Sequence, residues 1–108
     1  MTEDRSIFLG LDLGTSAVKA VLVDADTRII ASRSVPLSVS RPHQRWSEQD
    51  PETWWQAADL AVRKLAASHP GEMAAVAGIG LSGQMHGLTA LDARDAVLRP
   101  AILWNDTR

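Results

Sequence analysis

"SIFLGLDLGTSAVKAVLVD", residues 6–24, decides the fold. Ser6 to Leu11 is a nearly continuous apolar run, which suits a central strand covered on both faces. Asp12-Leu13-Gly14-Thr15-Ser16 has turn composition, and Ala17 to Val23 resumes the β-branched, apolar pattern, so the two runs predict a hairpin. Asp24-Ala25-Asp26-Thr27 makes a second turn. Arg28 to Leu37 alternates less cleanly, with Arg33, Ser32, Ser34 and Pro36 among its apolar residues, as an edge strand does.

Outward from this sheet, Ser38 to Asp50 has neither helical nor strand period and is long for a connection, which predicts a functional or surface-wrapping loop. It ends in a helix start: Asp50 is a good N-cap, Pro51 fits the first helical position, and Glu52 favours the positive end of the helix dipole. Trp54, Trp55, Ala58, Ala61, Val62 and Leu65 then recur at helical spacing as an apolar face, opposite Glu52, Gln56, Asp59 and Arg63, with Asp59 and Arg63 a favourable i,i+4 pair. His69-Pro70-Gly71 ends the helix. Ala74 to Leu81 reads as the next strand of a mixed sheet packed under that helix. Leu88 to Leu91 and Val97-Leu98 flank a polar turn and suggest a further hairpin, and Pro100 to Trp104 is a last short apolar run. The order is β-β-β-α-β-β, an α/β fold.

The 108 residues are one domain's worth of chain. With 45% hydrophobic and 22% charged residues and a net charge of -2, the composition is that of a soluble globular protein rather than a disordered, membrane-spanning or polyanion-binding one. The basic residues are scattered singly, so no nucleic-acid stripe is present. There is no cysteine, hence neither a disulfide framework nor a thiolate site. Met1-Thr2-Glu3-Asp4 is acidic and no apolar h-region follows it, so the expected location is cytoplasmic.

Three segments have the residue types for chemistry. In "DLGTS", Gly14 lets backbone approach a ligand, and backbone N–H groups with the hydroxyls of Thr15 and Ser16 can cradle phosphate oxygens. Asp12 can hold Mg²⁺, which takes one or two carboxylates plus phosphates and water. A plain hairpin turn with Asp12 bonded to its own backbone fits the same five residues. In "SGQMHG", Gln84 and His86 can face a crevice beyond a strand end as hydrogen-bonding groups, with Met85 as a soft wall, or His86 can be an ordinary surface histidine in a glycine-rich turn. In "WNDTR", Asn105 and Asp106 can bind hydroxyls or be turn residues. Trp104, Trp46, Trp54 and Trp55 read as packing.

Taken together, "GLDLGTSAVKAVLVD", "RPHQRWSEQDPETWW", "GIGLSGQMHGL" and "PAILWNDTR" resemble, in this order and spacing, the N-terminal part of the FGGY carbohydrate kinases, and within them the members that phosphorylate D-xylulose. The resemblance runs over essentially the whole chain. It implies a ribonuclease-H-like lobe of the actin/hexokinase ATPase type, incomplete here, with residues 1–108 as the first part of the N-terminal lobe and the rest of that lobe and the C-terminal domain outside this chain. It implies ATP, Mg²⁺ and a pentulose sugar as ligands, D-xylulose 5-phosphate as product, no nucleic-acid or membrane partner, and a homodimeric parent. On matching motifs, Asp12 is the aspartate near the metal, and Gly14, Thr15 and Ser16 meet the ATP phosphates. Gln84 belongs to the sugar loop, Met85 and His86 match the sugar-contacting pair, and Asn105 and Asp106 match a segment lining the same pocket.

The departure is length. Family members are several times longer, and the adenosine region, the second lobe and the aspartate serving as catalytic base lie beyond these residues. Phosphoryl transfer needs both walls of a cleft, so the isolated chain is expected neither to phosphorylate sugar nor to hold ATP tightly. The rival readings are a related gluconate or ribulose kinase, a non-catalytic actin-like module that holds a phosphate ligand or a partner, and a remnant with no function of its own.

Overall fold

The computed structural model describes residues 5–108. The acidic start Met1-Thr2-Glu3-Asp4 lies outside the described residues.

The opening hairpin forms as its pattern dictates. β1 (Ile7–Leu13) pairs antiparallel with β2 (Ala17–Asp24), Leu9 opposite Leu22 and Asp12 opposite Lys19. β2 pairs in turn with β3 (Ile29–Pro36). After a helical crossover, β5 (Val76–Gly83) returns parallel to β1, giving the order β3-β2-β1-β5, with β1 central and β3 at an edge as expected.

The helix α1 (Pro51–Ser68) starts where its cap predicts: the Asp50 carboxylate accepts the Glu52 N–H at 3.0 Å, satisfying one of the orphan donors of the first turn. It ends at Ser68. His69 caps it through its backbone N–H, and Pro70 opens a one-turn helix, α2 (Pro70–Ala74), which the breaker signal of Pro and Gly concealed.

One core holds these elements together. Ile7, Leu9, Val18, Ala20, Leu22 and Val35 meet Ala57, Ala58, Ala61 and Leu65 of α1. Ala61 and Leu65 are fully buried, and the small alanines let the helix lie close on the sheet. Trp55 departs from expectation and is 68% exposed. Each helical residue turns about 100°, which places Trp54, Ala57, Ala58, Ala61 and Leu65 in one stripe and Trp55 about 100° off it.

Two further corrections concern cover. β1 is central but not buried on both faces: Ile7 and Leu9 are buried while Phe8 and Asp12 are exposed, because α1 packs on one face only. α1 lies over β2 and β3 and hardly reaches β1, so β5 is open even on the helix side, with Ile79 62% and Leu81 74% exposed. We therefore expect the 108-residue chain, prepared alone, to self-associate through this wet apolar surface. Light scattering over a concentration series is the check; a monomer at every concentration would contradict it.

The segment Ser38 to Asp50 is not merely a surface loop. Ser47, Glu48 and Gln49 are buried, and Ser40 and Glu48 exchange backbone hydrogen bonds of 2.8 and 2.9 Å. β4 (Glu48–Gln49) pairs antiparallel with β6 (Ala101–Ile102) from the last apolar run. The intervening hairpin is minimal, a single bridge between Leu91 and Val97 around a turn whose N–H groups at Arg94 and Ala96 are accepted by Asp92. Among the described residues no helix is long and apolar enough to cross a membrane.

Candidate functional site

β1 and β5 run parallel, so their carboxyl ends come together, and the two sequence-flagged loops leave from them side by side. Leu13 stands opposite Gly83, and the Gln84 N–H extends the ladder by donating to the Leu13 carbonyl at 3.0 Å. The phosphate-type turn and the Gln84-Met85-His86 loop are therefore neighbours by topology.

The turn is tight. Gly14 N–H donates to the Ala17 carbonyl at 3.0 Å, and a Cβ on Gly14 would stand 3.0 Å from that same oxygen, so glycine is the residue that fits. Among the described residues no hydrogen bond uses the amides of Thr15 and Ser16. The hydroxyls differ from expectation. Ser16 is exposed, but the Thr15 hydroxyl turns inward, donating to Gln84 Oε1 at 3.3 Å and accepting from Trp104 Nε1 at 3.0 Å.

Two recesses open on either side of the 83–86 loop. One, of about 440 Å³, is walled by Leu13, Trp54, Gln84, His86 and Leu103; the other, of about 290 Å³, by Gln84, Met85, His86 and Trp104. His86 borders both, and its backbone is held at φ 60°, a left-handed conformation that a non-glycine residue keeps only when its surroundings impose it. Such strain gathers where a side chain must be aimed, and here it presents the exposed imidazole at the mouth of both recesses. Asp12 opens elsewhere, onto the helix-free face, where it shares a shallow depression of about 380 Å³ with Gly10, Lys19, Gly80 and Ser82. Gly14, Thr15, Gln84, Met85 and His86 are thus brought together, with Asp12 two residues before Gly14, on the helix-free face of β1.

Asp106 does not line either recess. Its carboxylate accepts the Ser47 N–H at 2.7 Å and pairs with Arg108 at 2.6 Å, and its side chain is almost wholly covered. Arg108 also reaches Glu48 Oε2 at 2.9 Å and lies 3.8 Å over the Trp46 ring, while Arg99 pairs with the same Glu48 oxygen. Asp106 therefore pins the 103–108 segment to β4. Asn105 beside it keeps a buried Oδ1 with no hydrogen-bond partner among the described residues. The hydrogen-bonded Arg108 guanidinium holds the Asp106 carboxyl well below the usual carboxylate range, and the Ser47 N–H adds to this against the opposing effect of burial. A carboxyl held below its unfolded value of about 3.9 contributes stability that is present above about pH 4 and lost as pH falls toward the folded value. Asp106→Asn should accordingly lower the denaturation midpoint at pH 7, and its gap from wild type should shrink between pH 4 and pH 2. A gap constant across that range would remove Asp106 from this role.

Sequence reasoning missed three residues. Trp104, read as packing, is 57% exposed and bonded to the turn. Gln49 is buried and holds the Thr15 carbonyl at 2.6 Å. Trp54 donates to Gln49 Oε1 at 2.9 Å. No local signal marks Gln49, an amide in a polar stretch directly before a helix cap.

Residues 7–108 match the N-terminal domain of the FGGY family of carbohydrate kinases. The chain is 52% identical over 102 residues to a xylulose kinase of Escherichia coli, covering 94% of this chain and 21% of that protein. Among solved structures it superposes with TM-score 0.92 and 59% identity on a kinase from Brucella ovis described as a xyloylose kinase, over 94% of this chain and 22% of that one. A gluconate kinase from Lactobacillus acidophilus follows at TM-score 0.86 and 30% identity, over 94% and 20%. The chain spans about a fifth of the length of the curated relatives it matches.

Proposed function

The chain belongs to the FGGY family of carbohydrate kinases, with the ribonuclease-H-like fold of that family, and from this premise we propose that it forms one wall of the cleft of an ATP-dependent sugar kinase acting on D-xylulose. The observation that carries the reading is the hydrogen-bonded contact between the Gly14–Ser16 turn and the Gln84–His86 loop, which puts a phosphate-type turn within one side chain of the recesses that His86 borders.

The assignment of roles follows from what each group offers. The amides of Thr15 and Ser16 and the exposed Ser16 hydroxyl supply donors for the terminal phosphates of ATP, and the inward Thr15 hydroxyl holds the turn in shape. Asp12, exposed near the end of the central strand, is a carboxylate two residues before the turn glycine, which fits Mg²⁺ held by one carboxylate together with phosphate oxygens and water. That ion, when bound, neutralises charge on the transferring phosphoryl group. His86 and Met85 receive the sugar, His86 as hydrogen-bonding group and Met85 as apolar wall; Asn105, whose Oδ1 is buried and which lines neither recess, is left out of that contact. Asp106 acts on the sugar only through the backbone it anchors. The phosphoryl group passes to a sugar hydroxyl, ADP leaves and the hydroxyl proton is lost to a base outside these residues.

The likeness to a gluconate kinase gives a second substrate reading on the same scaffold. A panel of D-xylulose, D-ribulose and D-gluconate, run with ATP and Mg²⁺ on the whole protein that carries this sequence, separates them. We expect kcat/KM for D-xylulose to exceed the others by about tenfold or more, as one well-placed hydrogen-bonding group allows. Preference for gluconate would transfer the reading to that substrate; no turnover with any sugar would end it.

A further inference from the structure

Gln49 stands outside every role above, yet it closes a ring of side-chain hydrogen bonds joining the two functional loops. Its Nε2 donates to the Thr15 carbonyl at 2.6 Å; Thr15 Oγ1 donates to Gln84 Oε1 at 3.3 Å; Gln84 Nε2 donates back to Gln49 Oε1 at 3.3 Å. Gln49 Oε1 also accepts Trp54 Nε1 from the first turn of α1, and Trp104 Nε1 donates to the Thr15 hydroxyl from the far side. Gln49 is 1% exposed and is followed at once by the N-cap Asp50, so the ring is fixed to the start of α1.

A buried amide in this position is demanding. It must donate on one side and accept twice on the other, and an unsatisfied buried polar group is costly, so the ring tends to keep all its bonds or rearrange as a unit. We propose that Gln49 is a positioning residue that couples the sugar loop to the phosphate turn: occupancy at Met85 and His86 shifts Gln84, and Gln49 and Thr15 relay that shift to the amides of the turn. This rests on the sugar-kinase reading. It predicts that sugar and nucleotide bind with positive coupling, reciprocal by linkage, and that the coupling passes through Gln49.

The test is calorimetric, on the whole protein, measuring the D-xylulose Kd alone and with a saturating non-hydrolysable ATP analogue plus Mg²⁺. Wild type should bind the sugar at least about fivefold tighter with the nucleotide present, the lower end of common coupling strengths. Gln49→Glu sets an acceptor against the Thr15 carbonyl and Gln49→Met removes every hydrogen bond of the side chain. Each should bring the factor below about twofold while the Kd for sugar alone moves less than threefold, a split that general loosening of the fold would not produce. Should neither variant fold, the shorter Gln49→Asn, which keeps an amide but cannot reach both the Thr15 carbonyl and Gln84, must weaken the coupling likewise. Coupling preserved in the folded variants, or absent from wild type, would overturn the role of Gln49. Sugar phosphorylation by wild type separates that failure from failure of the kinase reading itself.

Discussion

Asp12→Asn, in the whole protein, lowers kcat by about 10²- to 10³-fold at saturating sugar and ATP and leaves the sugar KM within about threefold. Asp12 sits one pair before the end of β1, opposite Lys19 on β2 and Ser82 on β5, and is exposed on the helix-free face. Asparagine keeps its volume and strand register, so the fold is untouched and only the charge is lost. A full negative charge fixed on a central strand is what a phosphate-transferring site needs to hold a divalent cation in place. Asp12 lines neither of the recesses proposed for the sugar, which is why sugar affinity is expected to be spared. Steady-state kinetics with a thermal melt beside them decide the matter. A kcat within twofold of wild type, with an unchanged melt, would remove Asp12 from the chemistry.

His86→Ala should do the reverse, raising the sugar KM about tenfold with kcat reduced by only a few fold, the effect of one lost hydrogen bond to a neutral ligand. The substitution leaves the φ of 60° in place, so it tests the imidazole and not the backbone. His86→Asn is the informative companion. Asparagine tolerates the left-handed region better than most residues and retains a polar tip, so it should recover part of the affinity. Equal KM values for wild type and His86→Ala would take the imidazole out of the sugar site.

What the sequence revealed was what short-range physics writes into it. The β1–β2 hairpin, the edge character of β3, and the Asp50-Pro51-Glu52 start of α1 each depend on residues a few positions apart, and each formed as expected. The parallel return of β5 followed from the helix between it and the sheet. What stayed hidden depends on pairings across the chain. Thr15 meets Trp104, Ser47 meets Asp106 and Glu48 meets Arg108, and no local pattern announces such contacts. Trp104 reads as buried because tryptophan usually is, and Asp106 as pocket-lining because the resemblance of "WNDTR" implies it. Burial of Gln49 was equally invisible, since an isolated glutamine in a polar stretch has the composition of a loop.

The most direct measurement is a crystal structure of the whole protein with D-xylulose and a non-hydrolysable ATP analogue. The account predicts sugar density in the recess bordered by Met85 and His86, with the terminal phosphate at the amides of Thr15 and Ser16 and Asp12 on the metal side of it. Sugar bound away from the 84–86 loop, or phosphates held by another segment, would contradict it.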